Sequence, residues 1–453
     1  AIAALFVLFS LLVPQVVIGF LAFGALLTLV LFTTLRITGL LAARRANQPK
    51  IEPQNAAPMI SMLVPLYREA EIGKHLLRRL CRLTYPRARM EVFLVLEESD
   101  EVTRNAVKCA DLPDWFRVVE VPGDGSLTTK PRAMNYALNF CHGEIIGIWD
   151  AEDAPEPDQL EIAAQAFSHA PPEVACFQGV LDFYNPTRNL IARCFTLEYA
   201  GWFRVLLQGI ARLGLVVPLG GTTLFIRRDA LENLGAWDAH NVTEDADLGV
   251  RLARAGYRTE MLPTTTYEEA NAAVLPWVKQ RSRWLKGYAM TWATHMRDPV
   301  QLWRDLGARR FIGLQAQLLG TVLGFSLAPV LWTLVVKVFG LPHPLDRFLP
   351  VQGYLGLAFF FLACQMLTIY AAWRAAALPR HRCLRPWIPV LDVYFLLASV
   401  ATWLGLAELL VKPFHWRKTA HGRFSQDGQA AEVMGDQTLP AFSFNRTSNA
   451  VDK

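Results

Sequence analysis

Hydrophobic positions along the chain fall into two kinds of segment. Long unbroken apolar blocks stand near the two ends, and short apolar runs punctuated by turn residues fill the middle. The uncharged run Val16 to Leu35 can cross a hydrocarbon core of about 30 Å at about 1.5 Å per residue. Residues 1–13 are too short to span and are expected to be the end of an earlier transmembrane helix. Arg36, Arg44, Arg45 and Lys50 follow the first span and place the next segment on the cytoplasmic side. Residues 46–58 read as a polar, proline-bearing linker.

From Ile60 the texture changes. ISMLVPLY and EVFLVLEE are short buried-strand patterns, separated by an amphipathic stretch over 70–84. That order predicts a β-α-β unit and a parallel sheet with crossover helices. EIIGIWD at 144–150 predicts a further buried strand that ends in an acidic loop. Ligands of such sheets bind beyond the carboxyl ends of the strands, where the acidic motifs of this chain fall. Residues 272–296 form one amphipathic helical stretch. Apolar blocks follow at 311–340, which contains Pro329 and is expected to kink, at 351–373 and at 388–411. From Phe424 the chain is polar and reads as a tail.

This pattern divides the chain into an N-terminal transmembrane region (1–45), a catalytic α/β domain (57–270), interface helices (271–310), transmembrane and interfacial helices (311–411), a loop (412–423) and the tail (424–453). The formal net charge of +5 is slight, and many basic residues flank apolar blocks, which favours positive-inside anchoring over nucleic-acid binding. The seven cysteines form no CxxC pair and read as small buried hydrophobes in a reducing compartment.

Three motifs carry candidate chemistry. Asp150-Ala151-Glu152-Asp153 places carboxylates on a strand-end loop. A hard divalent ion held there and by a diphosphate would stabilise the charge of a departing nucleoside diphosphate; an isolated acidic turn has the same look. Thr243-Glu244-Asp245 precedes a helix stopped by Gly256. Asp245 in the first turn is expected to stay ionised and accept a proton, while helix capping is the alternative role. Gln280, Arg283 and Trp284 share one helix face, offering an amide, a guanidinium and an indole. A membrane-surface helix with its tryptophan belt has that composition too.

Taken in order, Pro65-Leu66-Tyr67-Arg68-Glu69, Leu96-Glu97-Glu98, Lys130-Pro131-Arg132-Ala133-Met134-Asn135, Asp150-x-Glu152, Gly220-Gly221-Thr222, Thr243-Glu244-Asp245 and Gln280-x-x-Arg283-Trp284 resemble the processive family 2 glycosyltransferases, among them the cellulose, hyaluronan, chitin and curdlan-type synthases. The resemblance covers about 60 to 300 closely. It implies an α/β GT-A fold, a UDP-sugar donor, Mg²⁺ or Mn²⁺, and inversion at the anomeric carbon. By resemblance, Tyr67, Glu69 and Glu98 fall where the family holds uracil and ribose, and Lys130 and Asn135 at its second nucleotide segment. Asp150 with Glu152 or Asp153 falls on the metal, Gly220, Gly221 and Thr222 on the acceptor lining, and Asp245 on the catalytic base beside Thr243 and Glu244. Gln280 and Arg283 fall on the diphosphate clamp and Trp284 on the acceptor platform.

Three departures stand out. Glu97-Glu98 replaces the usual Asp-Asp. Asp150-Ala151-Glu152 replaces Asp-x-Asp. Pro218-Leu219 leads the acceptor motif in place of an aromatic-cysteine pair. These variants place the chain nearest the bacterial curdlan-like or mixed-linkage glucan branch.

Asp392 and Glu408 leave a short uncharged stretch, so 388–411 is expected to lie in the membrane plane and to lead into a cytoplasmic gating loop carrying Lys418; a short true span is the alternative. The implied protein sits in the inner or plasma membrane with its catalytic domain cytoplasmic. It extends a growing polysaccharide from a UDP-sugar, UDP-glucose first and UDP-N-acetylglucosamine second, with the lipid bilayer and separate regulatory or export subunits as partners. Single transfer to a lipid carrier and an inactive scaffold or receptor are the competing readings.

Overall fold

The computed structural model describes residues 13–43, 57–70, 72–123 and 127–412. Lys418, the gating loop beyond Lys412 and the tail lie outside them.

The first apolar block is a single helix, α1 (Pro14–Ala43). The α/β domain then runs β1 (Ile60–Leu66), α2 (Ile72–Leu80), β2 (Met90–Glu97), α3 (Glu101–Lys108), β3 (Phe116–Val121), α4 (Lys130–Leu138), β4 (Ile145–Ile148), β5 (Ala154–Pro155), α5 (Gln159–His169) and β6 (Val174–Phe183). Next come α6 (Leu190–Gly201), a π turn, α7 (Leu207–Arg212), β7 (Leu224–Arg227), α8 (Arg228–Asn233), α9 (Glu244–Arg254) and β8 (Arg258–Glu268). The strands form one mixed sheet in the order β3-β2-β1-β4-β7-β6-β8-β5. β1, β2, β3 and β4 are mutually parallel, and β7 runs antiparallel to both β4 and β6.

The alternation of β1 and β2 explains the layering. Leu63, Phe93 and Val95 face a core completed by Ala133, Met134 and Ala137 of α4, whereas Met62, Val64, Val92 and Leu94 face Leu76 and Leu80 of α2 and Leu160 and Phe167 of α5. A sheet buried on both faces needs such near-continuous apolar strands. Each fully buried aliphatic side chain contributes about 1.5–3 kcal/mol.

The C-terminal region is helical: α10 (Val274–His295), α11 (Pro299–Leu314), α12 (Gly320–Trp332), α13 (Val351–Ala375) and α14 (Leu391–Val411). The block expected to kink changes form near Pro329, and a separate break that was not expected lies before it at Gly307. Gly307 breaks α11 with φ +68°, and α12 gives way to a 3₁₀ turn three residues after Pro329. Proline removes one backbone donor, which loosens the last helical turn.

Among the described residues four helical segments are long and apolar enough to cross a membrane: Pro14–Ala43, Pro299–Phe339, Val351–Ala375 and Pro379–Val411. α14 follows α10 along its length. Tyr394 packs on Trp277 with ring centroids 4.9 Å apart, and a Cβ on Gly405 would lie 2.6 Å from the Ser282 carbonyl oxygen. Glu408 comes within 3.8 Å of the buried Lys286. The same helix crosses α12, stacking Phe395 on Phe325 and donating from Trp403 Nε1 to the Ser326 carbonyl at 3.1 Å.

The cysteines depart from expectation in part. Cys141, Cys176, Cys194 and Cys364 are buried, but Cys109 and Cys383 are exposed and Cys81 lies between. Cys109 caps the end of α3 and Cys383 sits on the turn before α14.

Candidate active site

The carboxyl ends of β1, β2 and β4 and the segment leading into β7 open onto one cavity of about 460 Å³. Each strand end delivers a polar group: Tyr67 and Glu69 after β1, Glu97 at the end of β2, Asp150 and Glu152 after β4. Gly220, Gly221 and Thr222 enter from the β7 side, and Thr243, Glu244 and Asp245 from the start of α9. α10 closes the cavity with Gln280, Arg283 and Trp284. Motifs more than two hundred residues apart in sequence thus share one wall.

Lys130 begins α4 and spans the cavity floor. Its Nζ lies 2.5 Å from Asp150 Oδ1 and donates to the Gly221 carbonyl at 3.0 Å. Burial alone would lower its pKa, but the facing carboxylates, Asp150 above all, raise it on balance. Gly221 has φ +80°, and a Cβ there would come within 2.9 Å of Asp245 Oδ2. Glycine therefore lets the chain pass directly under the Asp245 carboxyl.

Asp245 does not behave as the helix start alone predicts. Burial, then the adjacent Glu244 carboxylate, push it up to about 7, and Lys130 and Arg283 only partly compensate. Glu244 is itself raised by burial. Thr243 occupies the cap position but makes no side-chain capping bond. Instead it is pressed by Gly287 of α10, where a Cβ would fall 2.3 Å from its Oγ1. Asn241 receives the Thr243 amide at 3.0 Å and donates to Thr291 at 3.0 Å, which ties this loop to α10. The motif is therefore built into the cavity wall, beyond capping.

Three predicted site residues take other places. Asp153 is fully buried. Its Oδ2 accepts from the Asp150 amide at 2.7 Å and from the Thr222 hydroxyl, so it shapes the acidic loop from beneath. Burial raises its pKa well above the usual range, with Asp150 and Glu152 adding to the effect. Asn135 turns away from the cavity and exchanges two hydrogen bonds with the Trp237 backbone, at 2.7 and 3.0 Å. It anchors the segment that leads to Thr243. Glu98 accepts from the Gly123 amide at 3.2 Å, and the neighbouring Glu97 faces the cavity. Strand alternation sends successive side chains to opposite sides, so one of the pair had to point away.

The cavity adds residues that sequence reasoning missed. Glu268 ends β8 and lines the cavity, and burial followed by the charges of Asp153, Glu152 and Asp150 raises its pKa well above normal. The strand-end rule that found Asp150 would have found it. Glu97 pairs with Arg132 at 3.1 Å. Tyr199 of α6 faces Trp284 with ring centroids 6.2 Å apart and planes 35° from parallel, and no motif marks it. Arg281 stacks 4.8 Å from the Trp284 ring and bonds Glu198 at 2.7 Å, while the Tyr394 hydroxyl donates to the same carboxylate at 2.6 Å. Gln280 accepts from Asn271 at 2.8 Å.

Seven carboxyl groups and two bases line the cavity: Glu69, Glu97, Asp150, Glu152, Glu244, Asp245 and Glu268 against Lys130 and Arg283. An anionic diphosphate entering such a space needs added positive charge. Among the described residues no three His, Cys, Asp or Glu side chains converge to hold a metal alone. The donor set nevertheless fits a hard cation of the Mg²⁺ type, which takes one or two carboxylates and completes its shell with phosphates and water.

A mixed sheet with an acidic strand-end loop and a helix closing the nucleotide side defines a GT-A glycosyltransferase. Residues 57–287, just over half of the chain, match the family described as Glycosyltransferase like family 2, and the chain belongs to that family. Its members are inverting hexosyltransferases.

Among curated relatives, the chain is 25% identical over 244 residues to the probable glycosyltransferase YdaM of Bacillus subtilis, covering 53% of this chain and 58% of that protein. It is 30% identical over 274 residues to the β-monoglucosyldiacylglycerol synthase of Trichormus variabilis, covering 59% and 57%. The match to the probable glucomannan 4-β-mannosyltransferase 1 of Arabidopsis thaliana is 26% over 268 residues, covering 56% and 48%. These matches span less than two thirds of each relative's own length. Among solved structures, the mannosyltransferase PcManGT of Pyrobaculum calidifontis, in complex with GDP-Man and Mn²⁺, superposes with a TM-score of 0.53 at 18% identity. That match covers 84% of this chain and 99% of that one, and it bears on the fold.

Proposed function

We propose that the protein is a membrane-embedded synthase that transfers a hexosyl group, glucose first, from a UDP-sugar to the end of a growing β-linked exopolysaccharide and feeds the product across the membrane. The observation that carries this reading is the cavity itself. One cavity brings Asp245 together with a charged set, Lys130, Asp150, Glu152 and Arg283, and an aromatic set, Tyr199 and Trp284. The first suits a nucleoside diphosphate and the second a sugar ring.

The acceptor hydroxyl attacks the anomeric carbon from the face opposite the diphosphate. The new glycosidic bond forms as the bond to UDP breaks, which inverts the configuration. Asp245 takes the hydroxyl proton. Gln280 and Arg283 hold the diphosphate oxygens, and Trp284 with Tyr199 keeps the chain end in place between additions. A divalent ion held by Asp150, Glu152 and the donor phosphates would neutralise the leaving charge. We place the catalytic domain on the cytoplasmic side, which the basic residues after the first span, Arg36, Arg44, Arg45 and Lys50, support.

A second reading has its own support. The β-monoglucosyldiacylglycerol synthase of Synechocystis matches 86% of this chain and 83% of that protein at 25% identity. A single glucosyl transfer to a lipid would use the same charged set. Incubating purified protein with radiolabelled UDP-sugars, with and without diacylglycerol, separates the two. Long polymer supports the synthase, one sugar on lipid supports the second reading, and no product with any sugar donor overturns both.

A further inference from the structure

A second cavity lies away from the catalytic one. It encloses about 440 Å³ and is lined by Arg212 at the end of α7, Arg258 at the start of β8, and Arg309 and Arg310 of α11. Gly214 (φ +60°) and Gly307 (φ +68°) open it, since both hold backbone conformations that favour glycine. No carboxylate stands on its lining.

The guanidinium groups are held in place largely by neutral acceptors. Arg310 Nε donates to the Gly214 carbonyl at 2.9 Å and its Nη1 to Ala253 at 3.2 Å; Arg309 donates to the Leu213 carbonyl. Arg212 Nη1 donates to the carbonyls of Ala42 and Ala43 at 3.1 and 3.0 Å. Among the described residues only Arg258 of the four has an acidic partner, Glu260 at 2.9 Å, and both of those side chains are about two-fifths exposed. Carbonyl oxygens orient a guanidinium without cancelling its charge, so four like charges converge on one open space.

The position of this space narrows what could fill it. Ala42 and Ala43 are the last residues of α1, and the apolar part of the α11–α12 segment begins at Phe311. Gly209 of α7 packs so closely on Gly39 of α1 that a Cβ would fall 2.2 Å from the Gly39 carbonyl oxygen, which fixes α7 to the last turns of α1. The arginines therefore stand where two apolar helices reach the bilayer surface, at the depth of lipid headgroups. Planar forked guanidiniums bind phosphate oxygens in pairs.

We propose that the cavity formed by Arg212, Arg258, Arg309 and Arg310 binds a phosphate-bearing anion, with an anionic phospholipid headgroup as the source its depth brings within reach. The proposal does not depend on which sugar is transferred or to what acceptor. An occupied site would fasten α11 to the end of α1 and so hold the catalytic domain against the membrane.

The test uses the full chain in nanodiscs of pure phosphatidylcholine or of phosphatidylcholine with phosphatidylglycerol. The wild type is compared with Arg258→Gln/Arg309→Gln and with Arg374→Gln, a control in the last turn of α13, outside the cavity lining. Arg212 and Arg310 are left intact because each donates to two backbone carbonyls, whereas Arg309 donates to one and Arg258 pairs with Glu260. Phosphatidylglycerol retained after detergent extraction is measured by native mass spectrometry, and the thermal unfolding midpoint is measured with added inorganic phosphate. The expected result is bound phosphatidylglycerol that survives Arg374→Gln and falls at least about tenfold in the double variant, tenfold being about the loss of a single charge-assisted hydrogen bond. A phosphate-dependent rise in the midpoint in phosphatidylcholine discs, abolished in the double variant, supports the site with a free anion as its source. Equal retention in wild type and double variant without such a rise overturns the proposal, as does an equal fall in the Arg374→Gln control.

Discussion

The two ends of the catalytic cavity are built by different means. The charged end rests on strand termini: Glu97, Asp150 and Glu152 each lie within a few residues of a buried parallel strand, and Lys130 reaches them from the first turn of α4. The aromatic end rests on helix packing. Tyr199 and Trp284 come from α6 and α10, and their facing depends on Arg281, Glu198 and Tyr394 from three separate helices. A sheet fixes its strand ends by hydrogen-bond register, while a helix face can shift or rotate as its neighbours repack. Changes at the charged end should therefore act on donor binding and the chemical step. Changes at the aromatic end should act on the acceptor.

The largest expected effect belongs to Asp245. Asp245→Asn should lower kcat by about 10²–10⁴-fold while leaving UDP affinity within a few-fold. Turnover near that of the wild type would remove Asp245 from the reaction. The pH profile sharpens the same point. A base must be deprotonated to work, and Asp245 is pushed up to about 7, so kcat/KM should fall as pH drops through that value. In Asp245→Asn the residual rate should lose this acid limb. An unchanged limb would assign it to another group.

Next in size is removal of the divalent ion. With seven carboxyls around the donor space, EDTA should lower turnover by about 10²–10³-fold, and Mg²⁺ or Mn²⁺ should restore it. Full activity in EDTA would leave Lys130 and Arg283 to carry the diphosphate alone. Arg283→Ala should weaken UDP binding by about 10–100-fold, as expected for a lost charge-assisted hydrogen bond, with less effect on product length. Isothermal titration with UDP and sizing of the product read the two quantities separately.

This difference in construction also explains what could be read from the sequence. β1, β2 and β4 announced themselves through apolar runs, and the groups beyond them followed from the rule that ligands sit past strand ends. Neighbouring positions were harder to separate. Glu97 and Glu98, or Glu152 and Asp153, differ by one residue, and the side that each faces depends on pleat and loop geometry. Asp153 went to the loop's underside because Asp150 N and Thr222 needed an acceptor there. Asn135 was claimed by the Trp237 backbone for the same kind of reason. Tyr199 carried no motif at all, since its place depends on α6 meeting α10 across an interval of some eighty residues. The raised pKa of Asp245 was hidden too, because the sequence shows its helix start but not its burial.

The smallest expected effect tests the aromatic end most directly. Arg281 touches neither the cavity charge nor the proposed diphosphate position. Its guanidinium stacks near Trp277, Phe195 and Trp284, at 5.0, 5.6 and 4.8 Å, and is held by Glu198. Lysine would keep the charge and the ion pair but lose the flat face, and that stacking is worth about 0.5–2 kcal/mol. Arg281→Lys should therefore raise the acceptor KM by about 3–10-fold and shorten the product, with UDP affinity unchanged. Trp284→Ala should produce the same pattern more strongly. If Arg281→Lys weakened UDP binding as much as acceptor use, the two ends would be one mechanical unit. If neither variant altered product length, Trp284 would belong to the membrane-surface belt, and processive extension would lose its local support.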